Sequence, residues 1–350
     1  MGDHGADVVL LESCEGHPTR SEAPFLDDAP GPERSLLHAY ANANKRSALL
    51  APADGRRQSL LQVADVLVVS DRESAEAARA AASPAALVVA VTPYGLAAPE
   101  DAPGNDLTTS AVSGWALING DEGGPPLRPT LRQSDYLAGL LAYTGTVAAL
   151  VEREQSGAGQ VIDVSELEPP LWMAAPTILA AAQGDAIGRG RARPGVFSGP
   201  VPTRDGYFSV TFSRPHFWTE AMHALGLEDL ATDPRYLDRT VRQAEAAPLQ
   251  ERIEGALAQR GRWELFDALA HRRATVGVVL DMKDIATSTH LEERDVFSET
   301  VIDGRPVRTL ASPCVMSGTP WRVRTPAPRL GEHTDEVLSA WLGQQLEGTR

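Results

Sequence analysis

The sequence predicts an α/β layered protein with a smaller α+β region in its second half. Three observations predict it: apolar β-branched runs without alternation, helical stretches between them, and a change of composition at residues 184–203. The first run, residues 7–12 (DVVLLE), opens the chain almost at once. Residues 64–70 (ADVLVVS) and 86–91 (ALVVAV) are the next two. Runs of this kind read as parallel strands covered on both faces. A charged helical stretch at 73–82 separates the last two, as a β-α-β layer requires.

Residues 95–133 are rich in proline and glycine and read as loop. A long helix follows, with Leu137, Leu140, Leu141, Thr144, Val147, Ala148 and Val151 at helical spacing. Gly157 and Gly159 end it. A short strand at 160–164 leads into an apolar helix at 171–182. Residues 184–203 (GDAIGRGRARPGVFSGPVPT) read as a linker or flap, and Arg189, Arg191 and Arg193 make its cationic run. Beyond the turn signal Asp205-Gly206, a strand is expected at 207–212 and helices near 216–226, 246–259 and 263–271. Residues 276–280 are strand-like, 300–310 extended, and 334–342 a last helix. No internal repeat is visible.

With 350 residues and 43% hydrophobic content, the chain can build one large core or two ordinary ones. Its 32 basic and 47 acidic residues sum to −15, which repels phosphate backbones and anionic lipid. Nucleic acid and membrane are therefore not expected as partners. No apolar run approaches the roughly 20 residues of a membrane span, and the first residues carry no signal pattern. A cytoplasmic protein is expected. Cys14 and Cys314 are too few for a disulfide framework, and acidic neighbours disfavour Cys14 as a nucleophile. His216 and His223 share a helical spacing but lack further ligands, so no metal is expected.

The sharpest local feature is residues 161–168 (VIDVSELE), a strand running into a helix. Ser165 and Glu168 match a capping box. Alternatively, Glu168 is an ionised nucleophile at a helix start beside a Gly-rich stretch.

From Gly5 nearly to its end, the chain resembles the family III CoA-transferases of the formyl-CoA and carnitine-CoA type. The matching stretches are GADVVLLE (5–12), NANKRS (42–47), ADVLV (64–68), SGWALINGDEGGPP (113–126), residues 134–168, DGYFSV (205–210), DPRY (233–236) and APRLGEHTDEVL (327–338). The resemblance implies a Rossmann-like large domain built from residues 1–195 and 301–350, with a small α+β domain at 196–300 between them. It also implies an interlocked homodimer, or a heterodimer with a related subunit. Coenzyme A and acyl-CoA would be substrates, with no tightly bound cofactor. The family's nucleophilic aspartate falls on Glu168, whose extra methylene moves the carboxylate by about an ångström or more. The family's first strand and helix precede its GADV motif, so a truncated start is expected. By the same resemblance Arg20, Lys45 and Arg46 would grip CoA, with Tyr94 and Gly95 at the turn ending the third strand. Asp135 matches the proton-transfer aspartate of the related α-methylacyl-CoA racemases. It reads equally well as a residue at a helix start. The racemase histidine falls on Asn105, an amide that cannot move protons near neutrality. The expected activity is transfer of CoA from an acyl-CoA to a carboxylic acid through an enzyme-bound carboxyl–CoA thioester. The alternative is a weak or silent member serving as a partner subunit or CoA-binding module.

Overall fold

Each early apolar run becomes a parallel strand in the computed structural model, which describes residues 1–99, 102–120, 123–184, 199–212, 215–272 and 274–343. β1 (Val8–Glu12) pairs with β2 (Lys45–Leu49), Val8 opposite Lys45 and Glu12 opposite Leu49. α1 (Leu36–Asn42) lies between them in the chain and starts where the Ser35 hydroxyl accepts the His38 amide. α2 (Gly55–Val63) and α3 (Arg72–Ala81) are capped in the same way by Asp54 and Asp71. β3 (Val66–Val69), β4 (Leu87–Thr92) and β5 (Val161–Ser165) form a parallel sheet in the order β3-β4-β5. β4 is buried nearly throughout, whereas Val68 of β3 and Val161 of β5 are exposed.

The stretch expected to be loop contains α4 (Asp106–Val112) and α5 (Trp115–Ile118). An Asn105–Thr108 capping box starts α4, a local signal that the surrounding prolines and glycines masked. α6 (Gln133–Ser156) ends at Gly157, whose left-handed φ of 71° lets its amide reach the Arg153 carbonyl. By length and composition α6 could cross a membrane, contrary to the reading of the apolar runs. Here Ala138 and Ala142 are buried against Val89 and Val164 of the sheet. The apolar helix expected at 171–182 is two helices, α7 (Glu168–Met173) and α8 (Ala175–Ala182). Pro176 explains the break, because it lacks an amide hydrogen and disfavours helix in the residue before it.

The chain divides into two compact units: residues 1–113, 130–173 and 288–350, and residues 114–129 and 174–287. In the first unit, Val337 and Leu338 of the helix Thr334–Leu342 pack on Ala48, Leu50 and Leu60. β9 (Phe297–Ile302) and β10 (Arg305–Leu310) form an antiparallel hairpin in the same unit. In the second unit, β6 (Val201–Thr203), β7 (Gly206–Thr211) and β8 (Thr275–Val278) make an antiparallel sheet. Trp218, Phe208, Ile253 and Leu265 are its fully buried centre, and the Trp218 indole donates to the Leu230 carbonyl. His216 meets the Phe217 ring edge-on, and the His223 ring bonds Glu228.

Gly159 admits no side chain. A Cβ there would lie 1.9 Å from the Ala86 carbonyl oxygen, where the Gly159 amide already bonds the Pro84 carbonyl. Gly159→Ala is expected to destabilise the first unit by about 1–3 kcal/mol, read as a lowered urea midpoint.

Candidate active site

β4 and β5 end together, Thr92 opposite Ser165, and the two turns beyond them are laced to each other. The Glu166 amide donates to the Thr92 carbonyl at 2.8 Å and the Leu167 amide to the Pro93 carbonyl at 3.1 Å. The Ser165 hydroxyl donates to the Pro93 carbonyl and accepts the Leu167 amide, both at 3.2 Å. Ser165 therefore closes a two-residue turn; the capping box expected with Glu168 is not the bond it makes. The Asp163 carboxylate accepts the Leu96 amide at 3.0 Å, tying down the Tyr94–Gly95 turn. Gly95 has φ +82°, which a residue with a Cβ rarely adopts. These contacts place Tyr94, Gly95 and Glu168 at the carboxyl edge of a parallel sheet, where open α/β folds take their ligands. Glu168 is exposed at the head of α7, with Pro169 and Pro170 buried beside it.

The starts of α4 and α6 converge on this edge. The Asp106 carboxylate accepts the Ser134 amide at 3.1 Å. Asp135 follows on α6, and burial with Asp106 nearby raises its carboxyl above the ordinary value. Arg132 opposes that shift while pairing with Glu22. Glu166, half-buried, feels the strongest effect: desolvation, then Asp135 and Asp106, push it up to about 7. Neither Glu166 nor Asp106 stands out as a site residue in the sequence. The one available signal was two acids two residues apart in SELE, which does not reveal that α4 and α6 bring further acids to them.

The raised value fixes a sign. The folded state prefers protonated Glu166, so this group's contribution to stability is full below about 4.5 and is lost as pH rises through about 7. Glu166→Gln keeps the shape without the charge. It is expected to raise the melting temperature by about 2–4 °C at pH 8 and leave it unchanged near pH 4.5. Thermal unfolding of both proteins across that range checks this.

Of the residues expected to grip CoA, Lys45 and Arg46 lie on β2 and Arg20 on the short helix Pro18–Ser21. Arg20 is 1% exposed. It donates twice to Glu12 at 2.8 Å, to Glu33 at 3.1 Å and to the Pro328 carbonyl at 3.1 Å. A guanidinium so engaged ties β1 to Glu33 and to the Pro328 carbonyl. Arg46 pairs with Asp7 and Glu336 and lies over the Trp341 ring, binding β2 to the C-terminal helix. Lys45 is half-buried and donates to Asn42 at 2.9 Å; burial lowers its ammonium pKa. Asn105 spends its side-chain oxygen on the Leu107 and Thr108 amides. Arg189, Arg191 and Arg193 lie outside the described residues. Among the described residues, no three His, Cys, Asp or Glu side chains gather as metal ligands.

A family model described as CoA-transferase family III matches residues 1–334. The chain is 31% identical over 365 residues to succinyl-CoA:(R)-benzylsuccinate CoA-transferase subunit BbsE of Thauera aromatica, covering 95% of this chain and 87% of that one. It is 26% identical to succinate–glutarate CoA-transferase of Agrobacterium fabrum, covering 97% and 90%. In fold it matches a CAIB/BAIF family protein from Brucella suis with a TM-score of 0.83 at 24% identity, covering 96% of this chain and 92% of that one.

Proposed function

The chain belongs to CoA-transferase family III, and on that premise we propose that it moves CoA from an acyl-CoA to a carboxylic acid through a covalent intermediate on Glu168. The observation that carries this reading is the exposed carboxylate at the head of α7, held beside the Tyr94–Gly95 turn by the contacts between the ends of β4 and β5.

The Glu168 carboxylate attacks the thioester carbonyl, and the CoA thiolate leaves. The product is a mixed anhydride of acyl group and enzyme. The thiolate then attacks the glutamyl carbonyl and expels the donor acid, leaving a glutamyl–CoA thioester. The acceptor carboxylate attacks that thioester, releasing thiolate and forming a second anhydride. Thiolate attack on the acceptor carbonyl gives the new acyl-CoA and restores Glu168. No proton moves in the chemical steps, so no general base is required. Gly95, without a Cβ, leaves its turn open to close approach. Lys45, Tyr94 and Asp135 complete the residues proposed to border CoA. The exposed apolar side chains of α6, including Leu140, Val147 and Val151, support assembly with a second or related chain.

The test is label exchange. With an acyl-CoA and the matching labelled free acid, without free CoA, label should enter the thioester, and initial rates with two substrates should follow ping-pong kinetics. Deuterium entering the α-carbon without label exchange would instead indicate racemase chemistry. CoA binding without either would favour the silent partner subunit.

A further inference from the structure

The chain beyond β4 doubles back over the last residues of β5. Asp163 and Ser165 stand two apart on β5 and so face the same way. Both reach the turn. The Ser165 hydroxyl donates to the Pro93 carbonyl at 3.2 Å, and the two Asp163 carboxylate oxygens accept the Leu96 amide at 3.1 and 3.0 Å. Gly95 fits between them. A Cβ there would lie 3.6 Å from the Asp163 carboxylate and 3.7 Å from the Ser165 Cβ. The far end of the turn is held as well. Arg72, the first residue of α3, donates to the Ala98 carbonyl, and the Ala98 amide donates to the Gly95 carbonyl at 3.2 Å. Residues 94–98 belong to no helix or strand, and these bonds tie them to β5 and α3. The near end of the turn meets the chain that carries Glu168. The Leu167 amide, one residue before Glu168, bonds the Pro93 carbonyl, one residue before Tyr94, at 3.1 Å. Hydrogen bonds therefore connect Asp163 and Arg72 to the residue beside the exposed carboxylate.

We propose that Asp163 and Arg72 are positioning residues for CoA transfer, clamping the Tyr94–Gly95 turn from its two sides so that the thioester carbonyl meets Glu168 at a fixed distance. The proposal rests on the CoA-transfer reading. Neither side chain acts on the reacting atoms; each acts through the backbone of the turn. The Asp163 bond is charge-assisted and therefore stiff for a single contact. A misplacement of about an ångström can cost ~10²-fold in rate, so the clamp acts on kcat more than on binding.

Steady-state transfer with Asp163→Ala should show kcat lowered by about 10–100-fold and the KM for acyl-CoA within about threefold. Asp163→Asn keeps the shape and one oxygen acceptor, and should restore kcat to within about threefold of the unsubstituted protein. Arg72→Ala should also lower kcat. Because both residues hold one turn, the double variant should lie within about threefold of the slower single one rather than at the product of the two losses. Amide exchange of a peptide spanning residues 94–99 should quicken by about tenfold or more in Asp163→Ala, at an unchanged urea midpoint. A lowered midpoint with kcat unchanged would make the bonds structural only and overturn the proposal. A raised KM at full kcat, equal losses in Asp163→Ala and Asp163→Asn, or fully multiplicative losses in the double variant would overturn it too. Absence of transfer in the unsubstituted protein defeats the CoA-transfer reading and the clamp's role with it. Normal transfer in the variants defeats the clamp alone.

Discussion

Replacing Glu168 by alanine is expected to lower CoA transfer by on the order of 10³-fold or more, with the fold intact. The mechanism assigns this carboxylate the covalent step, and removing a nucleophile leaves only binding and orientation to accelerate the reaction. Glu168 is exposed, so its truncation leaves no buried cavity. Glu168→Asp should retain measurable transfer, because it keeps the carboxylate and changes its reach. Glu166→Ala is the necessary companion. It removes the neighbouring carboxyl whose environment raises it to about 7, and it should leave the covalent step in place. Steady-state transfer rates for the three variants separate the roles. Full activity in Glu168→Ala, with loss in Glu166→Ala, would move the nucleophile two residues upstream.

Arg20→Ala is expected to cost about 3–5 kcal/mol of folding stability, the effect of stranding a buried charge. Glu12 is 2% exposed. Burial alone would raise its carboxyl, but Arg20, the Ser47 hydroxyl and the His17 amide hold it below the ordinary value. Without Arg20 that carboxylate loses two charge-assisted bonds at once. The same substitution releases Glu33 and the Pro328 carbonyl, which join the start of the chain to its C-terminal part. A pairwise exchange, Glu12→Leu with Arg20→Met, should recover only part of the loss, since it removes the stranded charge but leaves the Ser47 hydroxyl and the His17 amide without their acceptor. Urea midpoints measure both. If Arg20 instead gripped CoA, Arg20→Ala would raise the KM for acyl-CoA at an unchanged midpoint.

The contrast between these two residues shows what was legible in the chain. β3, β4 and β5 could be read because each is a local run of β-branched residues, and α6 because its periodicity is local too. β2 escaped because it begins with Lys45 and Arg46. The Arg46 charge is met by Asp7 and Glu336, the latter 290 residues away, and Lys45 donates to Asn42. The burial of Arg20 is equally hidden in the sequence, since one of its partners is a carbonyl 308 residues on. The eight residues ending at Glu168 leave it between a helix cap and a nucleophile, and only the family resemblance favours the second. The raised Glu166 could not be singled out, because Asp106 and Asp135 reach it only when the starts of α4 and α6 converge.

The most direct measurement is to trap the intermediate. The purified protein is incubated with an acyl-CoA and treated with borohydride or hydroxylamine, and its peptides are read by mass spectrometry. The mechanism predicts reduction, or hydroxamate formation, at Glu168 that depends on acyl-CoA and is absent from Glu168→Ala. Turnover with Glu168 unmodified, or modification at Glu166 instead, would contradict it.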